Sequence, residues 1–376
     1  MRATLTVAIL LSCASLGFCT ALGFSDEYPR ETVVFAEKEN GYFAYRIPAV
    51  LTAADGSVLA FAEARKYNLS DPGGKGQDID LVVKRSRDGG RSWLPMQVIE
   101  DAGEYWSAAN PAPLLDRRTG RVWLFYVRCE PGRGSHEARP GTDDVRNLIR
   151  FSDDHGATWS EPIDVTRTAR DYDDPHWRVT IPGPGGAVQS STGRLIVPCW
   201  KYAPYRNFTL YSDDHGKTWQ RGEILPNEEG ADESQLVQRC DGVLWMDCRQ
   251  QTGPRRLLFE SRDDGTTFAP IGSGQAVTPV MCAVERLTCR ADGGNHDRIV
   301  FSGPRGPGRK GLTLWTLYDD DREFKNPRSI WDGPAAYSDL TVLPDGTLGV
   351  LWEKGTVHPY QQIVFTCVNL SWLEPK

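Results

Sequence analysis

The chain has no surplus of positive charge: 43 Lys and Arg stand against 50 Asp and Glu, a formal net charge of −7. Nonspecific binding to nucleic acid runs on cations that displace phosphate counterions, so that role is excluded. Past residue 24 the cysteines fall at 129, 199, 240, 248, 282, 289 and 367, an odd number with no C-x-x-C pair. No zinc site is indicated, and the pairing of any disulfides stays open. The conspicuous apolar run, Leu5 to Leu11, is too short to span a bilayer, and no transmembrane segment is expected. A composition 40% hydrophobic also lacks the polar bias of a disordered chain and can bury one large core or two modest ones.

What is present begins with an export signal. Met1-Arg2, the apolar run, and small residues at Ala14, Ser15, Thr20 and Ala21 together resemble a secretory signal peptide. We expect residues 1–24 to be this signal and 25–376 to form a single domain, exported to the periplasm or the extracellular space. Leu10-Leu11-Ser12-Cys13 is also similar to a lipoprotein-processing site, which makes a lipid anchor the variant reading. The 37 Gly, 25 Pro and 12 Trp favour many short strands joined by tight turns, hence an all-β fold.

Four segments share one pattern: Ser86-Arg-Asp88-Gly-Gly90-Arg-Ser92-Trp93, Ser152-Asp-Asp154-His-Gly156-Ala-Thr158-Trp159, Ser212-Asp-Asp214-His-Gly216-Lys-Thr218-Trp219 and Ser261-Arg-Asp263-Asp-Gly265-Thr-Thr267-Phe268. They begin 66, 60 and 49 residues apart, the mark of one supersecondary unit copied along the chain. An apolar run enters each box, the Asp can accept from turn amides, and Gly permits positive φ, so each reads as a hairpin turn whose terminal aromatic folds back on its own unit. Such units close most naturally into a six-bladed β-propeller. Ring closure would bring Thr32 to Phe35 beside Ile363 to Val368 and leave no long edge open. Gly303 to Gly308 reads as a surface loop between blade strands. The boxes identify no activity, since a repeated residue set can occupy a central site at most once.

Other segments are out of place as propeller filling. Tyr45-Arg46-Ile47-Pro48 puts an arginine among apolar residues, and Phe61-Ala-Glu-Ala-Arg65 runs into a loop reaching Asp71. Glu233 and Arg249 end a hairpin-like stretch, Arg309 precedes a strand, and Ala336-Tyr337-Ser338 is followed by Trp352-Glu353-Lys354. Each residue alone has an ordinary structural explanation; their joint occurrence resembles the exo-α-sialidases of bacterial and animal lysosomal type, over residues 33 to 368. The resemblance implies that Arg46, Arg249 and Arg309 grip the sialic acid carboxylate and that Tyr337 is the nucleophile, with Glu233 its base. It implies Asp71 as acid/base, Glu353 as the carboxylate orienting Arg46, and Arg65 at the O4 side of the sugar. Arg305 competes with Arg309 in register, and Asp78 and Asp80 compete with Asp71. Trp106 and Asn110-Pro-Ala are candidates for the pocket around the N-acetyl or glycerol arm.

The chemistry is coherent. Planar guanidinium groups bind a carboxylate through paired, charge-assisted bonds, and a neutral tyrosine avoids the repulsion an anionic nucleophile would meet there. Acid, base, nucleophile and cationic clamp suffice, so no metal and no organic cofactor is called for. The expected partners are sialylated glycoproteins, glycolipids or oligosaccharides. A trans-sialidase, a noncatalytic sialoglycan-binding propeller and a box-containing glycosidase of neutral polysaccharide are the competing readings; the last has no use for three carboxylate-gripping arginines.

Overall fold

The computed structural model describes residues 27–226, 230–251 and 253–374. The expected signal peptide and Cys13 lie outside the described residues. Strand β1 (Arg30–Ala36) comes first and is set aside for ring closure. Blade 1 then comprises β2 (Ala44–Thr52), β3 (Val58–Arg65), β4 (Ile79–Ser86) and β5 (Gln97–Glu100). Blade 2 comprises β6 (Ser107–Leu115), β7 (Val122–Cys129), β8 (Val145–Ser152) and β9 (Ile163–Asp164). In blade 3 the inner position is shared by β10 (Val179–Pro182) and β11 (Val188–Gln189), followed by β12 (Leu195–Tyr202), β13 (Arg206–Ser212) and β14 (Gln220–Arg221). Blade 4 is β15 (Ala231–Gln238), β16 (Leu244–Gln250), β17 (Arg255–Ser261) and β18 (Ala269–Ala276).

Blades 5 and 6 share a strand. After β19 (Ala283–Thr288), β20 (Arg298–Pro304) and β21 (Lys310–Tyr318), the 18-residue β22 (Lys325–Val342) pairs with β21 through its first part. From Ala335 it becomes the inner strand of blade 6 and pairs with β23 (Leu348–Lys354), which pairs with β24 (Gln362–Val368). The outermost strand of blade 6 is β1, with Thr32 opposite Phe365 and Val33 opposite Val364. The ring is thus closed by the amino-terminal strand where the sequence places it, a six-bladed all-β propeller. Of the expected Gly303–Gly308 loop, Arg305 to Gly308 lie in the turn between β20 and β21, whereas Gly303 and Pro304 are the buried end of β20, paired with Thr313 and Leu312.

All four boxes follow the third strand of their blade and share one hydrogen-bond set. The Ser hydroxyl donates to the Asp and accepts from the Gly amide, while the Asp accepts from the amide and hydroxyl of Ser92, Thr158, Thr218 or Thr267. One expectation is corrected: the terminal aromatic reaches across to the preceding blade. Trp93 packs edge-on against Phe365, Trp159 against Phe61, and Trp219 against Phe125 and Trp123. The preceding blade offers an apolar wall there that the exposed turn of the aromatic's own blade does not. A Cβ on Gly216 would lie 2.2 Å from Trp123, and one on Gly90 would lie 2.3 Å from Phe365, so these glycines serve close approach as well as φ. The boxes therefore tie blades together, and a disulfide between Cys240 and Cys289 adds a tie between blades 4 and 5.

Candidate active site

Four of the inner strands carry a backbone irregularity where the candidate residues lie. Strands β2, β6, β15 and β22 each carry a register shift, between Arg46 and Ala49, Ala109 and Ala112, Ala231 and Ser234, and Ala335 and Ser338. A bulge re-aims side chains that would otherwise alternate between faces. These four hold Arg46, Asn110, Asp232 with Glu233, and Tyr337. Pro48 and Pro111 sit in two of them, where an amide donor to the ladder is not needed. Ile47 has φ of 57°, a conformation a β-branched residue adopts only under constraint. The constraint is visible: the Ile47 amide donates to Glu353 Oε1 at 3.1 Å.

Glu353 on β23 is fully buried. Its Oε1 also accepts from Arg46 Nε at 3.0 Å, and its Oε2 accepts from Arg46 Nη2 at 3.3 Å and from the Tyr337 amide at 3.1 Å. Burial works against the charge of Arg46, but Glu353, with the rings of Tyr337 and Tyr360, more than offsets it, so the guanidinium is held firmly protonated. Its Cζ lies 4.2 Å from the Tyr360 ring centre and 5.2 Å from that of Tyr337.

Tyr337 stands among three arginines. Its hydroxyl donates to Glu233 Oε1 at 2.6 Å and accepts from Arg249 Nη1 at 3.1 Å, while Arg249 Nη1 also donates to Glu233 Oε2 at 2.6 Å. Arg309 Cζ lies 5.6 Å from the Tyr337 ring, and its Nη1 donates to the Tyr360 hydroxyl at 2.7 Å. Burial first, then the charge of Glu233, push the Tyr337 phenol well above its usual range against the pull of Arg249 and Arg46. The phenol is therefore neutral at rest, beside a carboxylate placed to take its proton.

The expected residues come together here. Of the two competing arginines, Arg309 lies beside Tyr337 and Tyr360, whereas Arg305 is half exposed and pairs with Asp332. Arg65 is completely buried, donating to Glu63 Oε2 at 2.7 Å and to the Leu69 carbonyl at 2.6 Å, with Asp71 Oδ1 3.6 Å away. Asp71 itself projects from the loop, its side chain 86% exposed, at the cavity mouth. Asp78 and Asp80 are buried and bound by Lys66, with Tyr42 donating to Asp80, so both are structural. A cavity of about 280 Å³ is lined on the Tyr337 side by Glu233, Arg249 and Asp232, at its mouth by Asp71, and elsewhere by Val127, Trp200 and Tyr205. Asn110 lines it as expected; Trp106 does not, a correction. Trp106 precedes β6, outside the bulge that brings Asn110 to the cavity, and its amide is spent on the Gly103 carbonyl.

Four contributors escaped the sequence reading. Tyr360 bridges Arg46 and Arg309, Glu63 holds Arg65, and Asp232 with Gln251 packs beside Glu233. Glu63 lay in the quoted Phe61–Arg65 segment, two residues from Arg65 on one strand and so on the same face, a usable signal. The other three had none in the local sequence.

The fold and this geometry define a propeller whose axial cavity joins a cationic clamp to a buried tyrosine–carboxylate couple. The family described as BNR repeat-like domain matches residues 56–350. The chain belongs to that family. It is 31% identical over 356 residues to a sialidase of Micromonospora viridifaciens, which covers 89% of this chain, while this chain spans only 52% of that protein's length. Among solved structures, a Hadza microbial sialidase superposes with a TM-score of 0.78 at 24% identity, covering 88% of this chain and 66% of the other. The intramolecular trans-sialidase of Ruminococcus gnavus also gives 0.78, at 20% identity, over 92% of this chain and 98% of its own.

Proposed function

We propose that this chain is an exported exo-α-sialidase that hydrolyses terminal α-linked sialic acid from glycoproteins, glycolipids or oligosaccharides with retention of configuration. The observation that carries the reading is the 2.6 Å hydrogen bond from the Tyr337 hydroxyl to Glu233 amid the guanidinium groups of Arg46, Arg249 and Arg309. The arginines receive the substrate carboxylate, and Arg65 faces the O4 side of the sugar. Glu233 takes the phenol proton as Tyr337 Oη attacks the anomeric carbon, and Asp71 gives its proton to the departing glycosidic oxygen. Asp71 then removes a proton from water, which attacks the same carbon. The Tyr337–sugar bond breaks, and the phenolate regains the proton held by Glu233. Two displacements at one carbon return the starting configuration.

The catalytic unit in this reading is one domain from residue 25 onward, working after export. The Cys240–Cys289 bridge supports that compartment, since disulfides persist where the surroundings oxidise. Transfer of the sugar to a hydroxyl other than water is the second reading, favoured by the likeness to the Ruminococcus enzyme over nearly its whole length. A noncatalytic binder could dispense with Tyr337, Glu233 or Asp71, and all three are present.

The test is release from a fluorogenic α-sialoside by wild type, Tyr337→Phe and Asp71→Ala, with the sugar product identified. Release by wild type and a loss of at least about 100-fold in Tyr337→Phe are expected. A folded wild type that releases nothing between about pH 4 and 8 overturns the reading. A product joined to an acceptor or closed on itself selects transfer.

A further inference from the structure

Asp232 has no part in that scheme, yet it is only 4% exposed and lines the same cavity. The bulge in β15 sends two successive carboxylates, Asp232 and Glu233, toward one guanidinium, that of Arg249. Glu233 holds its Nη1. On the other side, Arg249 Nε and Asp232 Oδ1 are both buried and both lack a hydrogen-bond partner, and they lie 3.9 Å apart. Gln251 donates to Asp232 Oδ2 and fixes the carboxyl in this position.

We propose that Asp232 is a positioning residue that gates carboxylate binding: when ionised it draws Arg249 toward itself and adds negative charge to the cavity, and when protonated it leaves Arg249 to the substrate. This rests on the sialidase reading. The described groups facing Asp232 are Glu233 on its own strand, Arg249 and Cys248 on β16, and Tyr205 from the β12–β13 turn, with Tyr337 beyond Glu233. Burial and the neighbouring Glu233 charge raise the Asp232 carboxyl to about 7, with Arg249 and Gln251 pulling the other way. The gate therefore stands open in mildly acidic solution and closes as pH rises through neutrality.

The geometry predicts a split between KM and kcat. For an α-sialoside, KM of the wild type should rise above about pH 7, approaching tenfold per pH unit. In Asp232→Asn that rise should vanish, since the amide cannot ionise. A second measurement needs no variant: the affinity of wild type for sialic acid should weaken over the same range, while affinity for its methyl ester, which has no carboxylate charge, should not. An unchanged KM slope in Asp232→Asn, a wild-type KM flat with pH, or equal weakening for acid and ester overturns the gate. Wild type that neither cleaves an α-sialoside nor binds sialic acid at any pH fails the sialidase reading instead.

Discussion

Glu353 lies beneath Arg46 as a single carboxylate with four donors, two from the Arg46 guanidinium and one each from the amides of Ile47 and Tyr337, all between 3.0 and 3.3 Å. It joins the inner strands of blades 1 and 6, so the placement of Arg46 and Tyr337 relative to each other depends on one side chain. Removing one partner of a buried ion pair leaves the other uncompensated and costs about 3–5 kcal/mol. Glu353→Gln should lower stability by that order in denaturant unfolding and raise KM for an α-sialoside. A KM unchanged in a destabilised protein would show that Glu353 supports the fold alone.

How much of this was readable beforehand follows the same division between local and distant. Arg46, Tyr337 and Glu353 each stood in a short stretch whose residue types were unusual for a strand, and the box turns repeat a local bond set, so sequence located both. Tyr360 was invisible, because its value lies in bridging arginines from blade 1 and blade 5, and neither has a signature near residue 360. Asp232 carries no signal of its own in the sequence beside Glu233. Only the β15 bulge, set by pairing with β16, turns both inward. The shared strand β22 was likewise unreadable, since its division between two blades depends on its partners.

The Asp71 loop is seated by backbone on backbone. A Cβ on Gly134 would lie 2.8 Å from the Pro72 carbonyl oxygen, directly beside Asp71. Gly134→Ala should displace the loop without touching the arginine clamp. Misplacement of a catalytic group by about 1 Å can cost up to about 100-fold, so we expect kcat to fall by about 10- to 100-fold on a saccharide leaving group. An aryl sialoside, whose leaving oxygen needs less protonation, should lose much less. Equal losses on both substrates would refute the assignment of Asp71 as the proton donor.

Box glycines separate close packing from conformational freedom. Gly216 has φ of 80° and would place a Cβ 2.2 Å from Trp123, whereas Gly193 has φ of 98° with nothing within 4 Å. Gly193→Ala should cost about 1 kcal/mol in backbone strain. Gly216→Ala adds overpacking against the preceding blade and should cost about 2–4 kcal/mol in total. The comparison is made by denaturant unfolding. Similar costs at both positions would mean that the box does not brace the neighbouring blade.

Two groups of carboxyls set the pH dependence of stability in opposite directions. Asp88, Asp154 and Asp214 are lowered to about 2: burial opposes this in Asp88 and Asp154, and their box hydrogen bonds outweigh it, while in Asp214 the bonds from Thr218 dominate. Their stabilisation is complete above the unfolded value of about 4 and is lost as pH falls toward 2. Asp339 is fully enclosed, and burial raises it to about 7 despite donors from the Val50 amide at 2.8 Å and Gln235 Nε2 at 2.7 Å. Between about pH 4 and 7 the unfolded chain gives up that proton while the folded chain keeps it, so stability declines as pH rises across this span and levels off above it. Tm should accordingly peak near pH 4 to 5 and fall on both sides. Asp232, raised to about the same value, adds to the neutral limb, so Asp339→Asn should make the decline toward neutrality shallower and leave the acid limb unchanged, whereas Asp154→Asn should weaken only the acid limb. Scanning calorimetry from about pH 2.5 to 8 reads both limbs, and a neutral limb unaltered in Asp339→Asn would place the buried proton on another carboxyl.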